Sequence, residues 1–169
     1  MSIGPRILWV VAAAGLLGGL LGSQGLAVSA AFAAEGKTVY PGTRVVKTGF
    51  GFPELHRRLE AAVEKNKLFV VTRASASAGA KSRGIAIPGN LVIGVYRNDF
   101  AVRMLKASVP AGIEAPLRFY VTENADGTAT LTYRTPSAVF APYGSKALDA
   151  LAAELDVLWA KIVQDAVAK

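Results

Sequence analysis

Between residues 43 and 169 the apolar positions change period several times, and each change marks an element. Leu55, Leu59, Ala62 and Val63 recur at i, i+4, i+7 and i+8, the stripe of an amphipathic helix. Pro53 stands at its head, where a fixed φ suits a first helical residue, and Asn66 and Lys67 suit its end. Residues 43–48 (TRVVKT), 68–73 (LFVVTR) and 91–96 (LVIGVY) are β-branched and aromatic runs, hence strands. A second helix follows Asn98 or Asp99 as cap, with Phe100, Ala101, Met104, Leu105 and Ser108 on one side; Pro110 and Gly112 end it. Residues 117–123 alternate strictly, Leu117, Phe119 and Val121 against Arg118, Tyr120 and Thr122. Asp126-Gly127 then predicts a hairpin turn into a return strand over 129–134. Ser145 caps a long last helix whose buried stripe is Leu148, Leu151, Leu155, Leu158 and Ile162, widened by Trp159 and Val163. Its acids Asp149, Glu154 and Asp156 fall on the outer side and solvate it. Residues 74–89 are small, Ser/Gly-rich and basic, and predict a loop.

The order is β-α-β, loop, β-α-β-β, α. At an offset of 50, Val45, Phe50, Leu55, Phe69, Val71 and Thr72 meet identical residues at Val95, Phe100, Leu105, Phe119, Val121 and Thr122. A strand–helix–strand unit used twice accounts for this. The predicted fold is α+β: duplicated units forming one antiparallel-rich sheet, helices on one face, and a long C-terminal helix added. If Phe69, Val71, Phe119 and Val121 face the helices, period-two alternation sends Leu68, Val70, Arg118, Tyr120 and Thr122 to the other face. The repeat adds Val46 and Tyr96 to that face, and the last strand adds Thr130, Thr132 and Arg134.

Ahead of this domain the pattern is different. Arg6 is the only charge before Glu35, and residues 7–22 are unbroken apolar or glycine. Ala31-Phe32-Ala33 supplies small residues where a signal peptidase reads them, so residues 1–33 are expected to be a secretory signal. The competing expectation is an uncleaved membrane anchor, since residues 7–34 are long enough to span. Overlapping G-x-x-x-G pairs among Gly15, Gly18, Gly19 and Gly22 would suit such an anchor. Residues 34–42, with Gly36, Pro41 and Gly42, form a lead-in to a single domain over 43–169. Either reading puts the domain outside the cytoplasm: periplasmic or secreted, or membrane-anchored through its first segment.

Composition narrows the chemistry. Of 169 residues, 52% are hydrophobic and 18% charged, which excludes a disordered chain. There is no cysteine and a single histidine, so disulfides, thiolate chemistry and multi-histidine metal sites are excluded. The formal charge of +7 favours an anionic partner, yet the cations are dispersed and do not form a nucleic-acid patch.

Several runs resemble the domain of unknown function 302 family. They are VVKTGFGFPELHRRLEAAVEKNKLFVVTR, AGAKSRGI, and VPAGIEAPLRFYVTENADGTATLTYRTP. The most specific pieces are Ala80-Lys81 before a glycine, and Ala115-Pro116-Leu117-Arg118 followed by Asp126-Gly127 and Tyr133. The resemblance covers about residues 43–145 and implies a duplicated α+β fold similar to the TATA-box-binding-protein-like class, with no known activity. It also implies two histidine positions that this chain lacks. Ser75 and Ala76 stand where many members have Asp-His, and Tyr143 is nearest to a second histidine. Asn98-Asp99 replaces a common Asn-Pro. An imidazole role cannot pass to Ala76, nor, near neutrality, to Tyr143.

Of the remaining groups, His56 and Glu60 form an i,i+4 pair, too few ligands for a metal and ordinary for a helix surface. Gly79-Ala80-Lys81-Ser82-Arg83-Gly84 offers glycines and cations; Lys81 and Arg83 are the possible anion contacts, without phosphate-loop spacing. The second face of the sheet carries the most information. It is apolar yet bears tyrosine and arginine, so it needs a cover: a ligand, a protein partner, a second copy, or the last helix. Tyr96, Arg118, Tyr120, Thr132 and Arg134 are the candidate contact residues, the arginines favouring an acidic group. The leading expectation is a non-catalytic binding or interaction module, with no cofactor and no metal. A self-associating envelope or stress protein and an enzyme with an unrecognised site are the alternatives.

Overall fold

The computed structural model describes residues 40–169. The expected leader and residues 34–39 of the lead-in lie outside the described residues. Five strands and five helices follow: β1 (Thr43–Lys47), α1 (Phe52–Lys65), β2 (Phe69–Ala74), α2 (Ala76–Lys81), β3 (Asn90–Tyr96), α3 (Asn98–Ala107), β4 (Leu117–Glu123), β5 (Ala129–Arg134), α4 (Pro136–Phe140) and α5 (Lys146–Val167). Short 3-10 turns over Pro110–Glu114 and Ala141–Tyr143 lead into β4 and α5.

The strands form one sheet in the order β1-β5-β4-β3-β2, every neighbouring pair antiparallel. The α+β class, the antiparallel sheet and the long last helix are those the sequence predicts. α1 and α5 pack on one face and on each other. Leu55, Leu59 and Val63 of α1 and Leu148, Ile162 and Trp159 of α5 are almost fully buried against Phe119, Val121, Ile93 and Leu131. Each such side chain contributes about 1.5–3 kcal/mol by leaving water. Phe119 is the hub: its ring stacks on Trp159 at 5.6 Å and tilts against Tyr133 at 5.4 Å.

The offset-50 correspondence does not give equivalent environments. β1 and β2 occupy opposite edges, whereas β3 and β4 are neighbours in the middle. Leu55 is fully buried and Leu105 is 45% exposed; Phe119 is buried and Phe69 is 63% exposed. Two facing assignments made through the repeat are therefore corrected. On β2, Val70 lies opposite Val95 and Phe69 opposite Tyr96, so Leu68 and Val70 turn to the helices while Phe69 turns away. The ladder then skips Val71, a bulge that leaves this side chain about half exposed. On β1, Val46 lies opposite buried Leu131 and faces the core, while Val45, opposite Thr132, faces outward.

The segment 74–89 is not all loop. Ser75 Oγ accepts from the Ala78 amide and starts α2. Asn90 then docks α2 on β3: its Oδ1 accepts from the Ala76 amide at 2.9 Å and its Nδ2 donates to the Pro88 carbonyl at 3.0 Å. Neither Asn98 nor Asp99 caps α3. The helix already begins at Asn98, and the Asp99 carboxylate is taken by Arg97, at 2.7 Å from Nε and 2.9 Å from Nη2. Ser145 does cap α5, accepting from the Leu148 amide. Two acids of α5 make ties rather than only solvating it. Glu154 accepts from Arg103 of α3 at 2.6 Å, and Asp156 from the Ser137 amide at 2.9 Å.

Candidate ligand-binding face of the sheet

The long helices α1 and α5 pack on one face of the sheet, so the last helix does not cover the other; the short helix α2 meets that second face at its Asn90 end. The register builds this face in rows. One row runs Val45, Thr132, Tyr120, Val92, Ala74. The next is Thr43, Arg134, Arg118, Gly94, Thr72, with Arg118 and Arg134 falling together one step beyond the Phe119–Tyr133 pair. Phe69 and Tyr96 pair at one end, and Lys47, Thr130 and Thr122 stand at the other. Every candidate contact residue of the sheet, Tyr96, Arg118, Tyr120, Thr132 and Arg134, is thus on one face. The sequence reading missed Val45, Phe69 and Val71, three exposed apolar side chains on or beside it. Their signal was present in the apolar runs, but the phase borrowed through the repeat fails on β1, whose register is continuous, and on β2, where the bulge also breaks it.

The charge on this face is one-sided. None of the strand residues that the pleat sends to it is acidic, and two guanidinium groups sit on adjacent strands. The two differ in freedom. Arg134 is half-buried; its Nη2 donates to the Ala138 carbonyl at 3.3 Å, its guanidinium lies 5.6 Å from the Tyr40 ring, and its Nε is buried without a partner. Arg118 is exposed beside exposed Tyr120. Thr130 points its hydroxyl into the hairpin, donating to Asn124 Oδ1 at 3.0 Å.

The other groups singled out lie elsewhere. Lys81 and Arg83 are exposed, but the amides around them are spent on the helix: Arg83 N donates to the Ala80 carbonyl and Gly84 N to the Lys81 carbonyl. No amide nest is formed, and Lys81 stands at a helix C-terminus, whose dipole disfavours an anion. His56 Nε2 lies 2.9 Å from Glu60 Oε1, which also accepts from Arg73 Nε at 2.6 Å; that contact first, then the histidine, holds the Glu60 carboxyl below its ordinary value. This cluster belongs to α1 and the edge of β2, behind the open face. The Tyr143 hydroxyl donates to Glu114 at 2.9 Å, and burial, then that partner, push its pKa up. Among the described residues no group of three or more His, Cys, Asp or Glu is placed to hold a metal ion, and no helix is long and apolar enough to cross a membrane.

A five-stranded antiparallel sheet with helices on one face and a basic, aromatic second face defines an α+β protein whose distinctive surface is the sheet itself. Residues 44–166 match the domain of unknown function DUF302, and the chain belongs to that family. The fold is similar to the crystal structure of an uncharacterized conserved DUF302 protein from Bacillus stearothermophilus, with a TM-score of 0.67. The two share 19% identity over 74% of this chain and 98% of the other, a likeness of fold alone. Among curated proteins there is no match.

Proposed function

We propose that the open face of the sheet is a non-catalytic binding surface for an amphiphilic anion: a carboxylate or phosphate joined to an apolar portion. One observation carries this reading. Arg118 and Arg134 stand side by side on a face without strand acids, next to exposed Tyr120, Val45, Val71 and Phe69. Paired guanidinium groups suit a planar or tetrahedral oxyanion through charge-assisted hydrogen bonds. The aromatic and aliphatic side chains around them would cover the apolar portion. Binding is favoured over catalysis because the lone imidazole is engaged with Glu60 on the helix side.

Calorimetric titration with octyl phosphate, using octyl glucoside as the uncharged comparison, tests this. Octyl phosphate is expected to bind saturably and more weakly as salt rises, and Arg118→Gln to weaken it about tenfold with unfolding unchanged. Equal binding of the two head groups, or no binding, would contradict the reading.

We infer from residues 1–34 alone that the domain works outside the cytoplasm. Intact-mass measurement on protein from its own cells should find a chain beginning at Ala34. A chain that keeps its leader and sediments with membranes would mean an anchor instead.

A further inference from the structure

At one end of the sheet Thr43, Phe69 and Leu117 start their strands and Tyr96 and Arg134 end theirs. α3 lies across this end: Phe100 and Met104 on its inner side share a crevice with Leu68 and Leu117. Its outer side carries Val102 and Leu105, neighbours one turn apart and each 45% exposed. The 3-10 turn Pro110–Glu114 then folds back against Leu105, so closely that a Cβ on Gly112 would lie 2.9 Å from Leu105 Cδ2. Val109 and Ile113 bracket that turn and are 74% and 83% exposed. A helix and the turn that follows it thus hold a group of aliphatic side chains in water.

The charge beside them is one-sided. Lys106 adjoins Leu105, is exposed, and is in no ion pair among the described residues. The acids of the helix and the turn are both engaged, Asp99 by Arg97 at 2.7 Å and Glu114 by the Tyr143 hydroxyl at 2.9 Å. Arg103 is matched by Glu154 at 2.6 Å. The chain also enters the domain at this end: the Tyr40 carbonyl accepts from the Thr43 amide at the start of β1, shortly after the apolar residues 7–34.

We propose that this end of the domain docks on an anionic membrane surface, with Val109 and Ile113 seated among the lipid headgroups and Val102 and Leu105 beside them. Lys106 would hold its ammonium at the depth of the phosphates while its stem follows the aliphatic side chains. A projecting apolar turn with a free cation and no free acid has the charge sense of an anionic bilayer. The export reading adds a second reason: whether residues 1–33 are cut or kept, the chain leaves the membrane at this end. The first argument stands without export, and neither depends on ligand binding by the sheet face.

The chain has no cysteine, so an introduced one can carry a single probe. Pro110→Cys, labelled with the environment-sensitive fluorophore NBD, keeps Val109 and Ile113 in place; if that variant does not fold, Ile113→Cys carries the label. Ile85→Cys is the comparison: an exposed aliphatic position after α2, at the opposite end of the sheet. Each is used as the full chain that its own cells process, mixed with vesicles of phosphatidylglycerol and phosphatidylcholine whose acyl chains carry bromine. A kept leader would tether both probes alike, so the contrast between the two positions reads docking alone. The probe on the turn is expected to shift to the blue and be quenched, and the probe at 85 to stay in water. Lys106→Gln should weaken the response of the turn about fivefold, the effect of one cation near an anionic surface. Equal quenching at the two positions, no quenching on the turn, or an equal response to phosphatidylcholine alone would overturn the proposal. So would a blue shift on the turn that grows with protein concentration and needs no lipid, which would assign the patch to a second copy.

Discussion

Gly94 sits in the middle of the open face, and a side chain there has nowhere to go. A Cβ would run into Thr72 Oγ1 and lie 2.6 Å from the Pro116 ring, which cannot swing aside. Gly94→Ala is therefore expected to lower stability by about 1–3 kcal/mol through overpacking, read as a fall in the denaturant midpoint. An unchanged midpoint would show that Pro116 yields. At Asp165 the relevant quantity is charge. Lys65 Nζ at 2.7 Å, then Asn66 Nδ2 at 2.8 Å, bring its carboxyl from 3.8 down to about 2. Because the folded value is the lower one, its contribution is complete above the unfolded value and is lost as pH falls from about 4 to 2. Urea midpoints across that window should fall less steeply for Asp165→Asn than for the parent. Equal slopes would mean that the Lys65 contact does not hold in solution.

At the scale of elements, what the sequence disclosed depended on how regular each element is. β4 alternates without interruption, so Arg118 and Tyr120 were placed on their face from the pattern alone. α5 was legible because Ser145 and a 3.6-residue stripe agree. β2 was legible as a strand but not in phase: its bulge at Val71 breaks the period of two, and borrowing the phase from β4 put Phe69 inside. α2 left little pattern to read, since its residues are nearly all alanine, serine and glycine. It stays in place through long-range hydrogen bonding, to an asparagine that the chain reaches only at β3. Asn90→Ala would leave the amide of Ala76 without its acceptor and is expected to cost about 1–3 kcal/mol. The local sign should be larger than the global one: trypsin cleavage after exposed Lys81 and Arg83 should accelerate. Unaltered cleavage would mean that α2 holds without Asn90.

At the scale of the whole molecule, the sheet has two faces of different character. One buries the aromatic hub and carries stability; the other keeps arginine, tyrosine and aliphatic side chains at the surface. A stable fold does not require that second face to be basic and aromatic, and this contrast is the basis for reading it as the working surface. Native mass spectrometry of the chain purified gently from its own cells, beside the Arg118→Ala/Tyr120→Ala double variant, tests that claim most directly. A monomer carrying one discrete added mass, absent from an equally folded double variant, is the predicted result. A bare dimer that the double variant disperses would mean that the face serves self-association, and an added mass retained by the variant would place the binding elsewhere; either would contradict the account.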